Sequence, residues 1–259
     1  MTDVFSFHDG NTPLLISVPH DGWQLPPDIV QNMSEIGRGI PDTDWHVAQL
    51  YEFARDRGAS MIVANYSRYV VDLNRPVDDA AMYDGELATG LCPVRTFAGD
   101  DIYRDQPLID TGVRVATYWR PYHDRIAEVL SELRERHGVA LLWDAHSITS
   151  RVPQLFDGEL AVLNLGTWGG RSCDASVADA IISVAQQSDY DVVLDGRFKG
   201  GHITRYYGDP GANVHAIQLE LAQRAYMHER TLIYDRDKAA KLRATLELML
   251  DAYLDMARA

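Results

Sequence analysis

The chain has 259 residues, with 24 Lys plus Arg against 38 Asp plus Glu, so its formal charge is −14; 46% of it is hydrophobic. This is the composition of a folded protein with material for a large core, and it excludes a disordered chain. A surface this acidic repels a phosphate backbone and speaks against general nucleic-acid binding, although a local cluster of arginines can still hold a small anion. Cys92 and Cys173 are too few for a disulfide framework and too far apart for a thiolate zinc site. No apolar run approaches the roughly 18 residues that a membrane span needs. The first eight residues carry neither the basic nor the apolar region of a leader, so a soluble cytoplasmic protein is expected.

In chain order, Leu14–Val18 predicts a buried strand. Trp45, Ala48, Leu50, Phe53 and Ala54 outline an amphipathic helix that stops at Gly58. Met61–Ala64 predicts a second strand and Tyr69–Asp72 a third. A long helical pattern runs from about Val113 to His137, with Ile126, Val129, Leu130 and Leu133 on one face. Four further strands are expected at Val139–Trp143, Ala161–Leu165, Tyr190–Leu194 and His215–Leu219. A helix from about Asp174 to Gln187 lies among them, and a last helix runs from about Arg236 to Met256. With no repeat and no linker, residues 1–259 read as one domain. Apolar strands between helices imply an α/β fold, a mixed and mostly parallel sheet with helices on both faces. Ligands in such sheets sit beyond the carboxyl ends of the strands.

Three expected strands end in groups able to bind a metal or move a proton. They are Ser17-Val-Pro-His20, Trp143-Asp144-Ala-His146-Ser147 and Gln218-Leu-Glu220. Pro41-Asp42-Thr-Asp44 adds two carboxylates at the start of the first long helix. Two imidazoles and a carboxylate with one open position make a hydrolytic zinc site, and a further Glu can serve as general base. Each piece also has a structural reading. Asp42 or Asp44 suits a helix N-cap, and a lone His at a strand end suits a structural hydrogen bond. Asp144 suits ligation or the orientation of His146, since residues i and i+2 of a strand share a face. Glu220 is harder to dismiss, because a buried carboxylate needs a cation beside it.

Arg68, Asn74 and Arg75 fall together in Tyr66-Ser-Arg68-Tyr-Val-Val-Asp72-Leu-Asn74-Arg75-Pro76. Arg pairs bidentately with carboxylates, so Asn74-Arg75 is a candidate carboxylate site; the alternative is an Arg75–Asp72 ion pair within a turn. Further on, Arg197-Phe-Lys199-Gly-Gly-His202-Ile-Thr204-Arg205 gathers four cationic or potentially cationic side chains around paired glycines. It reads as an anion clamp or as a mobile surface loop with solvated charges. His46, His202 and His215 are held in reserve. Cys92 has no readable His partner, and Ser17 and Ser147 lack the nucleophile elbow, so thiol and serine chemistry are not expected.

Taken together, several ordered segments resemble the N-formylglutamate amidohydrolase family. They are Ser17-Val-Pro-His20, Asp42-Thr-Asp-Trp-His46, Tyr66 to Pro76, Gly90-Leu-Cys-Pro93, Tyr118-Trp-Arg-Pro-Tyr-His123, Asp144-Ala-His-Ser147, Phe198 to Arg205 and Gln218 to Gln223. The resemblance runs from about Leu14 to Glu229. The family is itself similar, at a distance, to zinc carboxypeptidases and aspartoacylase-type hydrolases. It implies a fold of the zinc carboxypeptidase/phosphorylase-hydrolase kind. It also implies a deformylase of histidine degradation that cleaves N-formyl-L-glutamate to formate and L-glutamate. On the same resemblance, His20, Asp44 and His146 hold the metal. Position 23 is Trp where those relatives usually carry the Glu of His-x-x-Glu, so the carboxylate ligand comes from elsewhere, with Asp42 and then Asp144 as alternatives to Asp44. Glu220 is implied as general base, Arg68 as oxyanion stabiliser, and Asn74, Arg75, Lys199, Thr204 and Arg205 as the groups that bind the substrate. Zn²⁺ is the expected ion, and Co²⁺ or Fe²⁺ suit the same N/O donors. The expected partner is a small anionic substrate, without nucleic acid or membrane; monomer and homodimer both remain open. Two other readings stand beside this one: a deacylase of another N-acyl amino acid, and a non-catalytic binding protein, against which Glu220 argues.

Overall fold

In the computed structural model, residues 3–80, 90–105 and 109–257 are described. The strands of its main sheet are β1 (Phe5–His8), β2 (Leu14–Val18), β3 (Ser60–Ala64), β4 (Ala140–Ile148), β5 (Leu163–Gly166), β6 (Val192–Leu194) and β7 (Val214–Ala222). They lie in the order β1-β3-β2-β4-β7-β5-β6. The block β3-β2-β4-β7 is parallel, while β1 and β5 run antiparallel to β3 and β7. The helices are α1 (Pro27–Val30), α2 (Glu35–Arg38), α3 (Val47–Leu50), α4 (Phe53–Asp56), α5 (Thr111–Arg114), α6 (Arg120–His137), α7 (Ala175–Ala185), α8 (His202–Tyr207) and α9 (Arg236–Met256). A small ribbon of β8 (Met227–His228) and β9 (Ile233–Tyr234) stands apart. Among the described residues, no helix is long and apolar enough to cross a membrane.

Strand alternation divides the core. Leu14, Ile16, Trp143, Ile217 and Leu219 share one cluster with α7 and α9, and Leu15, Ile62, Leu142 and Ala216 share another with α6. On α6, Tyr122, Ile126, Val129, Leu130 and Leu133 form the buried stripe. Arg134, Arg136 and His137 sit in its last turn, where cations favour the dipole, and Gly138 at φ 79° closes it by bonding Arg134 O. A π turn, Val115–Trp119, joins α5 to α6, so helix runs unbroken from 111 to 137. Asp235 caps α9 by accepting the N–H groups of Asp237 and Lys238.

Two expectations change. The helix expected over Trp45–Ala54 is split into α3 and α4. Bonds from Glu52 N to Gln49 O and from Ala54 N to Tyr51 O tighten the chain between them, while the Tyr51 hydroxyl accepts the Trp143 indole N–H. Tyr69–Asp72 is not a strand: a turn ends at Val70, and Val71 and Asp72 are irregular. Its side chains divide between two clusters, Tyr69 and Val70 in one and Val71 in the other. Its carbonyls find an arginine where a strand would find a neighbour: Arg114 Nη1 donates to Val70 O at 2.9 Å and to Tyr69 O at 3.4 Å.

Candidate metal centre

The sheet face packed on α6 changes chemistry toward the carboxyl ends of its strands. The alternation that turns Ala140 and Leu142 toward α6 turns Asp144 and His146 the same way. Register then sets Asp144 beside Gln218 and His146 beside Glu220 across β4–β7, and Ser17 beside Asp144 across β2–β4. Ser17 Oγ donates to Asp144 Oδ1 at 3.1 Å and takes the Tyr122 hydroxyl at 3.1 Å. His20 follows β2, and its carbonyl accepts the Asp44 N–H at 3.0 Å, which brings the two side chains together.

His20, Asp44 and His146 are buried, and one ligand atom from each lies within 4.8 Å of the others. Asp44 Oδ2 is 3.0 Å from His146 Nδ1 and 3.8 Å from His20 Nδ1. Behind each ring stands a carboxylate. Asp72 Oδ1 is 2.8 Å from His20 Nε2, and Asp144 Oδ2 is 3.0 Å from His146 Nε2. A proton on His20 Nε2 satisfies Asp72 and leaves its Nδ1 lone pair turned toward Asp44, while His146 turns Nε2 to Asp144 and to Asn74 Nδ2, 2.9 Å away, and Nδ1 to Asp44. Among the described residues, His20 Nδ1 is buried without a hydrogen-bond partner. An orphaned imidazole nitrogen facing a carboxylate and a second imidazole fits a divalent cation, and this group can hold one.

Charge balance around the group is uneven. Burial pushes the Asp72 carboxyl up, but Arg68 and His20 together hold it well below the usual range. Burial likewise opposes ionisation of Asp44, and the His146 bond, His20 and Arg68 outweigh it. Burial and the Arg68 charge lower His20. Burial also disfavours a charged His146, yet Asp144 and Asp44 on either side raise it well above its ordinary value. A cation would take the place of the proton those carboxylates draw in. Burial raises Glu220 to about 8, with the His146 charge pulling the other way.

The remaining expected site residues divide. Arg68 Nη2 bonds Asp72 Oδ2 at 2.6 Å and Nη1 lies 3.7 Å from Asp44 Oδ1, so its guanidinium is part of the group. Asn74 is buried and engaged at both ends: Oδ1 accepts the Ile203 N–H at 2.8 Å, and Nδ2 donates to Asp144 Oδ2 at 3.2 Å. Arg75 is half-buried, and among the described residues its guanidinium makes no ion pair or hydrogen bond. The alternative Arg75–Asp72 ion pair is therefore not formed; Asp72 serves Arg68 and His20. The stretch read as a clamp or a loop folds, over His202–Tyr207, into α8. It docks through Gly201 N to Gln218 Oε1 at 2.6 Å and His202 N to Asn74 O at 3.3 Å, and the Asn74 amide fills the space where a Cβ on Gly201 would go. Lys199 is exposed, Thr204 is buried with a hydroxyl that has no partner among the described residues, and Arg205 Nε donates to Gly200 O at 2.8 Å.

Asp42 is bonded to the Tyr69 hydroxyl and the Phe97 N–H, outside the group and capping no helix. Among the reserve histidines, His215 lies near the opposite end of β7, and His46 bonds Leu232 O. Burial raises the Cys92 thiol, which makes it a poorer nucleophile. The role of Asp72 behind His20 escaped the sequence reading, which paired it only with Arg75; an aspartate 52 positions from its histidine leaves no local signal.

A mixed α/β sheet with a buried His-Asp-His group at its carboxyl ends, and a buried glutamate beside it, defines a candidate metal-dependent hydrolytic centre. Residues 12–227 match the model of the N-formylglutamate amidohydrolase family, and the chain belongs to that family. It is 49% identical over 260 residues to the N-formylglutamate deformylase of Pseudomonas putida, covering 98% of this chain and 97% of that one. It is also 49% identical over 263 residues to the N-formylglutamate deformylase of Pseudomonas aeruginosa, covering 100% and 98%. The crystal structure of N-formylglutamate amidohydrolase from Ralstonia eutropha JMP134 superposes with a TM-score of 0.82 at 24% identity, covering 98% of this chain and 97% of that one. That likeness shows the fold.

Proposed function

We propose that this protein is a metal-dependent deformylase that hydrolyses N-formyl-L-glutamate to formate and L-glutamate. The observation that carries the reading is the convergence of His20 Nδ1, Asp44 Oδ2 and His146 Nδ1 beside Glu220; the names of the Pseudomonas relatives supply the substrate. His20, Asp44 and His146 would hold Zn²⁺, with Co²⁺ or Fe²⁺ suited to the same donors. Such an ion, when bound, polarises the formyl carbonyl and acidifies water. Asp72 and Asp144 keep the two imidazoles in the orientation that ligates.

Glu220 takes a proton from the attacking water as the new C–O bond forms at the formyl carbon. It returns that proton to the glutamate nitrogen as the C–N bond breaks. Burial raises this carboxyl above its ordinary value, which favours its holding and returning a proton during the transfer. Arg68, fixed by Asp44 and Asp72, provides positive potential for the developing oxyanion. Arg75 receives one substrate carboxylate, while Lys199, Thr204 and Arg205 serve the other; Asn74 anchors the start of α8 between them. Holding both carboxylates orients a formyl group that has little surface of its own. The reading carries with it a place in histidine degradation in the cytoplasm, and a small anionic substrate as partner, with monomer and homodimer both open.

Formate release from N-formyl-L-glutamate, measured before and after chelation and again after adding back Zn²⁺, Co²⁺ or Fe²⁺, tests this. Metal-restored release is expected. A folded, metal-loaded sample that acts only on another N-acyl amino acid would replace the substrate. Binding of N-formyl-L-glutamate without any release would turn the reading into one of a binding protein.

A further inference from the structure

Trp168 follows β5 by two residues and holds its backbone at φ 53°, in the left-handed region that a bulky side chain rarely adopts. The surrounding contacts hold it there. Its N–H donates to Lys199 O at 2.6 Å. Gly166 lies against the Lys199–Gly200 backbone so closely that no Cβ would fit. Thr167 pins the turn by donating its N–H and hydroxyl to Asp195 at 2.8 and 2.6 Å.

What this conformation does is place an indole under two guanidinium groups. Arg205 Cζ lies 5.9 Å from the Trp168 ring centroid, and Arg171 Cζ lies 5.0 Å from the same ring. Arg205 is fixed from the other side as well, through Nε to the carbonyl of Gly200, itself at φ 105°. Two cations, Arg171 and Arg205, thus gather about one ring in a chain of net charge −14. On α8, Arg205 shares a face with His202, whose backbone is bonded to Asn74, and Asn74 touches His146. Arg75 follows Asn74 in the chain, while Arg205 is bonded to the Gly200 carbonyl, next to the Gly201 that packs on Asn74. Arg75 is taken for the α-carboxylate and Arg205 for the side-chain carboxylate.

We propose that Trp168 is a positioning residue that sets Arg205 for the side-chain carboxylate of the substrate, and so determines the preference for a dicarboxylic over a monocarboxylic N-formyl amino acid. This rests on the deformylase reading. A flat ring beneath a guanidinium attracts it and narrows its rotamers. Its loss therefore acts through one substrate carboxylate, on binding and on the orientation of the formyl group, and spares a substrate that lacks that carboxylate.

The test compares wild type, Trp168→Phe, Trp168→Gly and Arg205→Gln on two substrates, N-formyl-L-glutamate and N-formyl-L-norvaline, which carries a methyl where glutamate has its side-chain carboxylate. Metal content and Tm are read alongside; glycine also relieves the left-handed backbone. Trp168→Gly is expected to lower kcat/KM for the glutamate substrate by about tenfold, with norvaline kcat/KM unchanged. Trp168→Phe should restore most of the preference, and Arg205→Gln should lose it as Trp168→Gly does. An equal loss on both substrates would show a merely structural role and overturn the proposal, as would an unchanged preference in either Trp168→Gly or Arg205→Gln. A wild-type, metal-loaded enzyme that releases no formate from N-formyl-L-glutamate would overturn the deformylase reading first, and this proposal with it.

Discussion

Asp72 and Asp144 each hold one imidazole of the His20–Asp44–His146 group from behind, at 2.8 and 3.0 Å. Carboxylates in that position fix the ring and raise its basicity, and removing one typically weakens metal binding about 10–100-fold. Asp72→Asn should therefore lower metal affinity by about that factor, read by competition with a chelator of known affinity; unchanged affinity would leave Asp72 only as the partner of Arg68. Glu220→Gln separates binding from chemistry. It should keep the metal and lose roughly 10²–10⁴-fold in kcat, and a variant that retained full turnover would assign the proton transfer to another group. At this scale the sequence was informative only in part. The order His20, Asp44, His146, Glu220 could be read because the family resemblance supplied it, whereas strand-end position alone left Asp42, Asp44 and Asp144 equally open. The structure separates the three: Asp44 lies between the imidazoles, Asp144 behind one of them, and Asp42 against Tyr69.

Among the elements, β2 and α9 have the bounds expected from sequence because their patterns are unambiguous: an apolar run of five, and a long amphipathic stretch behind an Asp cap. The segment Tyr69–Asp72 was misread for a physical reason. A short apolar run buried on all sides has no period, and what decides its conformation lies over 40 residues away, in Arg114. That arginine supports the segment carrying Asp72, Asn74 and Arg75. Arg114→Met should keep much of the bulk but leave the Val70 carbonyl and the Tyr103 hydroxyl without their buried donor, which costs about 1–3 kcal/mol. Urea unfolding should show the loss as a lower midpoint at constant slope; an unmoved midpoint would mean that other groups satisfy these oxygens. The start of α8 was hidden for a related reason. Gly200-Gly201 reads locally as a loop, and only the docking of Gly201 against Asn74 and Gln218 shows why the glycine is needed and where the helix can begin.

For the whole molecule, two carboxylates, the buried Asp72 and the half-buried Asp21, pull stability in opposite directions as pH changes. Asp72 is held below its ordinary value, so its contribution is present above about pH 4 and fades as pH falls through its folded value. Asp21 behaves the other way. Burial, with the Asp44 charge adding to it, raises its carboxyl to about 7, although the Ala48 N–H bonds it. A raised acid stabilises the fold fully below its unfolded value near 4, and that contribution is lost as pH climbs toward about 7. The metal-free protein should therefore be less stable at pH 8 than at pH 5, and Asp21 should account for part of the difference. Asp21→Asn keeps an acceptor for Ala48 and carries no charge. It should raise the Tm of the metal-free protein at pH 8 by about 2–4 °C, the shift that ~1 kcal/mol produces in a chain of this size, with a smaller gain at pH 5. Metal loading supplies a further check, because a cation beside Asp44 offsets its repulsion of Asp21 and should shrink the gain at pH 8. Calorimetry on both forms at both pH values reads all four quantities. A variant no more stable than wild type at pH 8 without metal would show that Asp21 ionises there without penalty, and that the loss of stability toward alkaline pH arises elsewhere, with Glu220 the next group to test.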